Sequence, residues 1–267
     1  MDYDTKRIFR RIVVALSYVL IFGGLWLLVY VLRTPPAPSC FDKIQNQGEQ
    51  GIDCGGPCQS CEAIKQLTTY EASFFPTKPG FVDVFAEVNN PNVAYGVSQL
   101  AYTFTLYDRD GQVVGSKGGV TYILPNSTKF IVDQAVPIAR GAFKVEFRPL
   151  SPKFEEVKNY IKPRLIIVGL ASEIIGGQQG GVLAVQGNLA NQTNYDLDKV
   201  FVAIRLKNEL GQTVAVNKHE VRTLDAGAYR FFRATWPYRV PHFTDIQESV
   251  DTNVFEESNY LKFLKQR

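Results

Sequence analysis

The chain of 267 residues is poor in the side chains that most often carry chemistry. It has two histidines and four cysteines, and every cysteine lies between residues 40 and 61. His219 and His242 belong to no H-E-x-x-H or comparable metal-ligand spacing. No G-x-S-x-G nucleophile elbow occurs. The run GQVVGSKGG from Gly111 has the glycines of a phosphate loop but not its G-x-x-x-x-G-K-[ST] spacing, and it reads as a hairpin rather than a helix start. The pairs Glu155-Glu156 and Glu256-Glu257 recur beside the same Asn-Tyr dipeptide, which points to a repeated structural element rather than to catalytic carboxylates. The expectation is a protein that is not an enzyme; an extracytoplasmic hydrolase built on a histidine is the remaining catalytic alternative. A nucleic-acid partner is excluded on charge. The net charge is +3, and Lys6, Arg7, Arg10 and Arg11 supply four positive charges at the N-terminus, so the remainder is close to neutral.

Charge is also absent from Ile12 to Leu32, IVVALSYVLIFGGLWLLVYVL. At about 1.5 Å per residue this stretch spans roughly 30 Å, the hydrocarbon thickness of a bilayer. The basic cluster before it, against Arg33 alone just after it, predicts a cytoplasmic N-terminus and an extracytoplasmic remainder. The apolar run is longer than a signal-peptide core and no A-x-A site follows, so an uncleaved single-pass anchor in the cell membrane, bathed by membrane lipid, is expected. A cleaved signal sequence, a lipoprotein at Cys40 and a buried core helix are the alternatives. The expected organisation is a cytoplasmic tail (1–11), the anchor (12–32), a proline-rich spacer (33–39), a cysteine-rich module (40–62) and two β-sandwiches (63–162 and 163–267).

The two sandwiches follow from an internal repeat about 100 residues long. AEVNNPN from Ala86 answers GNLANQT from Gly187, with Asn90 facing Asn191; Leu106 answers Leu206, Gly111-Gln112 answers Gly211-Gln212, and Leu124 answers Leu224. Val136-Pro137 returns as Trp236-Pro237, and Phe154-Glu155-Glu156 as Phe255-Glu256-Glu257. Within each copy, branched and aromatic residues alternate with polar ones, the period of half-buried strands. Asn89-Asn90-Pro91-Asn92 and Asp108-Arg109-Asp110-Gly111 supply turn chemistry. Strands are expected over Val82–Val88, Leu100–Tyr107 and Lys129–Val132, and a short helix over each of Lys153–Ile161 and Phe255–Phe263. The fold class is therefore all-β, two tandem sandwiches with separate cores: Val84, Phe104, Leu106 and Leu124 in one, Val185, Ile204, Leu206 and Leu224 in the other. Asn126 and Asn191 head glycosylation sequons, a short pattern that arises readily by chance.

Cys40, Cys54, Cys58 and Cys61 are spaced C-x13-C-x3-C-x2-C. Two disulfides are expected, because the segment is too small to fold on apolar burial alone and the exterior is oxidising. Their pairing is open among three possibilities, and a four-thiolate zinc site is the alternative. Asp42, Asn46, Glu49 and Asp53 place oxygen ligands every few residues around Gly48 and Gly51, a composition suited to a hard cation such as calcium. The competing reading is a polar loop whose Asp and Asn cap turns. No other cofactor is expected.

Two resemblances come from these residues. FTLYD at Phe104–Asp108, with N-N-P-N before it and D-G after it, resembles the FxLYD family of the prokaryotic envelope, which implies immunoglobulin-like, LEA-like sandwiches. The second copy departs from the motif, reading Ile204-Arg205-Leu206-Lys207-Asn208. Cys40–Cys61 resembles a DCGGxCxxC module of prokaryotic surface proteins, except that Lys43 stands where that pattern has glycine. Together they imply an envelope structural or interaction module with a protein partner. The alternative is an accessory subunit of a secretion, pilus or transport assembly.

Overall fold

The computed structural model describes residues 3–33, 40–49, 51–58, 64–157, 161–176 and 182–260. The chain forms two compact units, Met1–Ala63 and Ile64–Arg267.

The first unit holds helix α1 (Tyr3–Arg33) and the cysteine module. Ile8–Tyr30 within α1 is long and apolar enough to cross a membrane, starting four residues before the predicted span. No side chain in that stretch is buried, which rules out a core helix of a soluble fold. A membrane span and a signal sequence share these properties. Within it the Ser17 hydroxyl is satisfied internally, Ser17 Oγ donating to the Val13 carbonyl at 2.7 Å.

Among the described residues the second unit is built from twelve antiparallel strands. The first six are β1 (Thr68–Lys78), β2 (Phe81–Asn90), β3 (Tyr95–Tyr107), β4 (Val113–Ile123), β5 (Ser127–Pro137) and β6 (Lys144–Glu156). The next six are β7 (Leu165–Ile175), β8 (Val182–Asn191), β9 (Leu197–Lys207), β10 (Thr213–Leu224), β11 (Tyr229–Trp236) and β12 (Asp245–Asp251). The first set forms sheets ordered β1-β2-β5 and β4-β3-β6; the second forms β7-β8-β11 and β10-β9-β12. Strand for strand the two orders are the same, so the sequence repeat is a repeat of topology.

Each copy closes its two sheets over its own core. Val84, Phe104 and Leu106 lie in one cluster with Leu100 and Ile123. Val185, Ile204, Leu206 and Leu224 lie in the other with Phe232 and Trp236. All eight predicted core residues are at most 3% exposed. Burying a side chain of this size contributes about 1.5–3 kcal/mol, so these clusters hold the sandwiches together. A third cluster, Phe75, Phe85, Val132, Ala203 and Val216, draws on both copies. The copies therefore share apolar surface in addition to their separate cores.

The turns repeat in chemical detail. Asn90 Nδ2 donates to the carbonyls of Tyr95 (2.8 Å) and Leu124 (3.1 Å); Asn191 Nδ2 donates to those of Tyr195 (2.7 Å) and Leu224 (3.0 Å). Asp108 Oδ1 accepts from the amides of Asp110 and Gln112, and Asn208 Oδ1 from those of Leu210 and Gln212. Gly111 and Gly211 close these hairpins at φ 77° and 72°, a region costly for any residue with a Cβ.

The strand over Lys153–Glu156 corrects the helix expected across Lys153–Ile161. β3 is long enough to pair with it, Tyr95 opposite Glu156 and Val97 opposite Phe154, and Phe154 packs on the core. The counterpart at the end of the second copy is a single 3-10 turn, Glu257–Asn259, and residues 261–267 lie outside the described residues.

Candidate functional site

In the cysteine module, Cys40 and Cys58 form a disulfide, Cys54 is also disulfide-bonded, and Cys61 lies outside the described residues. Among the described residues no cysteine is free, so the thiolates that zinc requires are spent. Glu49 Oε1 approaches Cys58 Sγ at 3.0 Å and completes a close Cys40–Glu49–Cys58 group. Two of its three members are sulfurs of one disulfide, which are poor metal ligands.

The structure brings Asp42, Asn46, Glu49 and Asp53 together and shows what their oxygens hold. Asp42 Oδ1 accepts from the Ile44 amide (2.9 Å) and Oδ2 from Asn46 Nδ2 (3.0 Å). Glu49 Oε2 accepts from the amides of Asn46 and Asp53, each at 3.2 Å. Both oxygens of Asp53 accept from the Lys43 amide, at 3.0 and 3.1 Å. Lys43 and Asp53 have positive φ, 62° and 58°, and the carboxylates hold these turns in place. The oxygens of Asp42 and Asp53 and Glu49 Oε2 accept from N–H groups of the loop itself, as in a self-capped loop, whereas Asn46 Oδ1 is buried with no hydrogen-bond partner.

The two histidines stand in unrelated settings. His219 is half-buried, its ring 6.0 Å from that of Phe232, and burial lowers its pKa against a smaller opposing pull from Glu220. No hydrogen bond joins it to a serine, threonine or cysteine among the described residues. His242 is exposed and 3.9 Å from the exposed Glu209. Glu155 is held by Lys153 and Ser98, each at 2.7 Å, and both lower its pKa, so it stays ionised. Asn126 of the first sequon is exposed, whereas Asn191 of the second is 1% exposed and committed to its turn, so folded protein cannot be glycosylated there.

The densest polar constellation lies where the copies meet, and sequence reasoning missed it. The outer face of β1-β2-β5 in the first copy packs on the outer face of β10-β9-β12 in the second. Arg205, the residue that breaks the FTLYD pattern, is 5% exposed. Its Nη1 donates to Glu87 (2.7 Å) and Glu71 (3.2 Å), while Nε and Nη2 donate to Gln247. The guanidinium also stacks over the rings of Phe130 and Phe85, at 4.4 and 5.4 Å. Lys218 pairs with Asp133 at 3.2 Å, and Tyr238 donates to Asp83 at 2.6 Å. Burial raises the pKa of Asp83, and the bonds from Tyr238 and the Ala135 amide oppose that rise. The same burial, reinforced by its hydrogen bond to Asp133, raises that of Tyr102.

Beside this contact opens a cleft of about 830 Å3, lined by Tyr122, Lys129, Phe201, His219, Asp251 and Asn259 among others. Lys129 Nζ sits 2.5 Å from Asp251 Oδ2 and 3.8 Å from the Tyr122 ring centre, and Tyr122 donates to Asp251 Oδ1 at 2.5 Å. Burial lowers the Lys129 pKa and Asp251 counteracts it. The pairs Lys129–Asp251 and Lys218–Asp133 join the two copies along its wall, so the cleft extends the contact between them. No known family model matches the chain, and no curated protein matches it.

Proposed function

We propose that the chain is a membrane-anchored structural or protein-interaction module of the cell envelope, without catalytic activity, whose β unit lies outside the cytoplasm. The observation that carries this reading is the order of three features along the first unit. Basic residues precede an apolar helix whose side chains from Ile8 to Tyr30 are all uncovered, and a disulfide follows within seven residues of Arg33. The positive-inside rule and the redox chemistry independently favour the same orientation. The FxLYD resemblance adds an immunoglobulin-like, envelope character to the two sandwiches. A reporter fused after Arg267 is expected to be active only outside the cytoplasm, and protease added to intact spheroplasts is expected to degrade the β unit. Protection of the C-terminal region would contradict the orientation.

A second reading, an accessory subunit of a larger envelope assembly, draws support from apolar side chains left uncovered on β7 and β11. Co-purification from detergent with a stoichiometric partner of different sequence would favour it.

A further inference from the structure

Among the lysine–carboxylate pairs of the β unit, one stands apart by its surroundings. In Lys144–Glu146, Lys153–Glu155, Lys199–Asp198 and Lys218–Asp133 the lysine side chain is between 37% and 67% exposed. The side chains of Lys129 and Asp251 are only 10% and 13% exposed, and Lys129 Nζ sits 2.5 Å from Asp251 Oδ2. The pair joins β5 of the first copy to β12 of the second, across 122 residues of chain. The Tyr122 ring covers Nζ at 3.8 Å and packs beside the Phe201 ring at 6.4 Å. Tyr122 Oη also donates to the other carboxyl oxygen, Oδ1, at 2.5 Å.

In water an ammonium and a carboxylate do not condense, because the amine is protonated and the carboxylate is a poor electrophile. This site changes both conditions. Burial favours the uncharged forms of the two groups, which differ from the ion pair only by transfer of one proton along the Nζ–Oδ2 hydrogen bond. The Lys129 pKa is lowered by burial, against the pull of Asp251. The neutral amine is then a nucleophile hydrogen-bonded to the oxygen next to Cγ, and groups fixed in this way react at effective molarities of about 10⁵–10⁸ M. Tyr122 Oη is placed to stabilise the negative charge that develops on Oδ1 during attack. The repeat shows that the arrangement belongs to the junction and not to the sandwich. Lys129 becomes Arg230 in the second copy, and Asp251 becomes Leu150 in the first. A guanidinium stays protonated, and leucine has no carboxyl. Arg230 instead donates to the Thr223 carbonyl of its own copy.

We propose that Lys129 and Asp251 condense to an isopeptide bond that ties the two sandwiches together covalently. Nζ attacks Cγ, and Oδ1 carries the negative charge of the tetrahedral adduct. Oδ2, which already holds one proton received from Lys129, takes a second from the nitrogen and leaves as water into the adjoining cleft as the Cγ–Oδ2 bond breaks. One hydrogen stays on the amide nitrogen, and no oxidant, metal or second substrate is consumed. The reaction occurs once per chain and acts on the chain itself, so it goes beyond the interaction-module reading without adding turnover. It gives the β unit, which contains no cysteine, a cross-link that reductants do not open. The test is made on the full chain in detergent, denatured and with its disulfides reduced. After allowance for each substitution, the native chain is expected to weigh one water less than the Lys129→Arg and Asp251→Ala chains. Trypsin is expected to leave residues 118–140 joined to residues 240–262 as one branched peptide, uncut after Lys129. A native chain of full mass that trypsin cuts after Lys129 would hold an ordinary ion pair and overturn the proposal. Loss of water without the branched peptide would also overturn it, because an aspartate that cyclises on its own backbone gives that result. Neither readout depends on membrane orientation, so failure of the orientation test alone leaves the proposal standing.

Discussion

The two copies are alike inside and different outside. At the motif strand, Phe104 and Leu106 of the first copy and Ile204 and Leu206 of the second fill equivalent core positions, and all four are fully buried. The residue between them alternates to the outer face, where the first copy has Thr105 and the second Arg205. The inward positions specify the sandwich and tolerate exchange of one apolar residue for another. The outward positions specify what the sandwich touches. The second copy's departure from FTLYD thus leaves the fold intact and supplies the guanidinium that joins the copies.

The strongest way to break this comparison is to remove that guanidinium. Arg205→Ala leaves Glu71 and Glu87 facing each other in a contact with no cation between them. It is expected to cost about 3–5 kcal/mol in urea unfolding, the usual effect of stranding buried charge. The reciprocal change, Thr105→Arg on a half-exposed surface, is expected to change stability by less than about 0.5 kcal/mol. Equal losses from the two substitutions would mean that the outer faces are not distinguished in this way.

The likeness of the copies can be sharpened at the turns. Asn90→Ala and Asn191→Ala each remove two or more hydrogen bonds made by a buried side-chain amide and are expected to cost about 1–3 kcal/mol apiece. Asp108→Ala and Asn208→Ala, on exposed hairpins, are expected to cost about 1 kcal/mol or less. Matched pairs of values, read from urea midpoints at constant m, support equivalent turns. A large inequality within either pair would show that the second copy has lost the device.

These turns were legible in the sequence because their chemistry is local: Asn90 reaches Tyr95, and Asp108 reaches Gln112, within five residues. The core positions were legible from period-two alternation. Arg205 was not, because an outward charge on a strand reads as solvated, and its acidic partners lie 118 and 134 residues away. The only signal was negative, a charged residue where the motif of the other copy has threonine. Lys153–Glu156 misled for a related reason. Its glutamates and lysine suit a helix, and only the length of β3 makes them a strand. In the cysteine module the oxidised state followed from its size and the expected compartment, whereas the Cys40–Cys58 pairing depends on the path of the chain and could not be read from spacing.

A smaller difference between the copies is their response to pH. His219 lies in the second copy, and burial holds its folded pKa below the ordinary 6.5. The unfolded chain therefore binds the proton first as pH falls. The stability linked to this group is full above about pH 6.5 and is lost progressively below it. Melting temperature is expected to fall between pH 7.5 and 5.5, and His219→Gln to flatten that slope. An unchanged slope would place the pH dependence in other groups. The smallest expected effect is that of calcium. Because Asp42, Glu49 and Asp53 cap their own loop, millimolar calcium is expected to leave the melting temperature of the full chain unchanged. A rise abolished by Asp53→Ala would establish a cation site there.

Arg205 and the surrounding shared face are expected to make the two sandwiches a single cooperative unit. Calorimetry of the full chain tests it most directly, with Arg205→Thr, the residue of the first copy, as the comparison. The β unit of the native chain is predicted to melt in one transition whose calorimetric and van't Hoff enthalpies agree, and Arg205→Thr to separate it into two. Two independent β transitions already present in the native chain would contradict the claim.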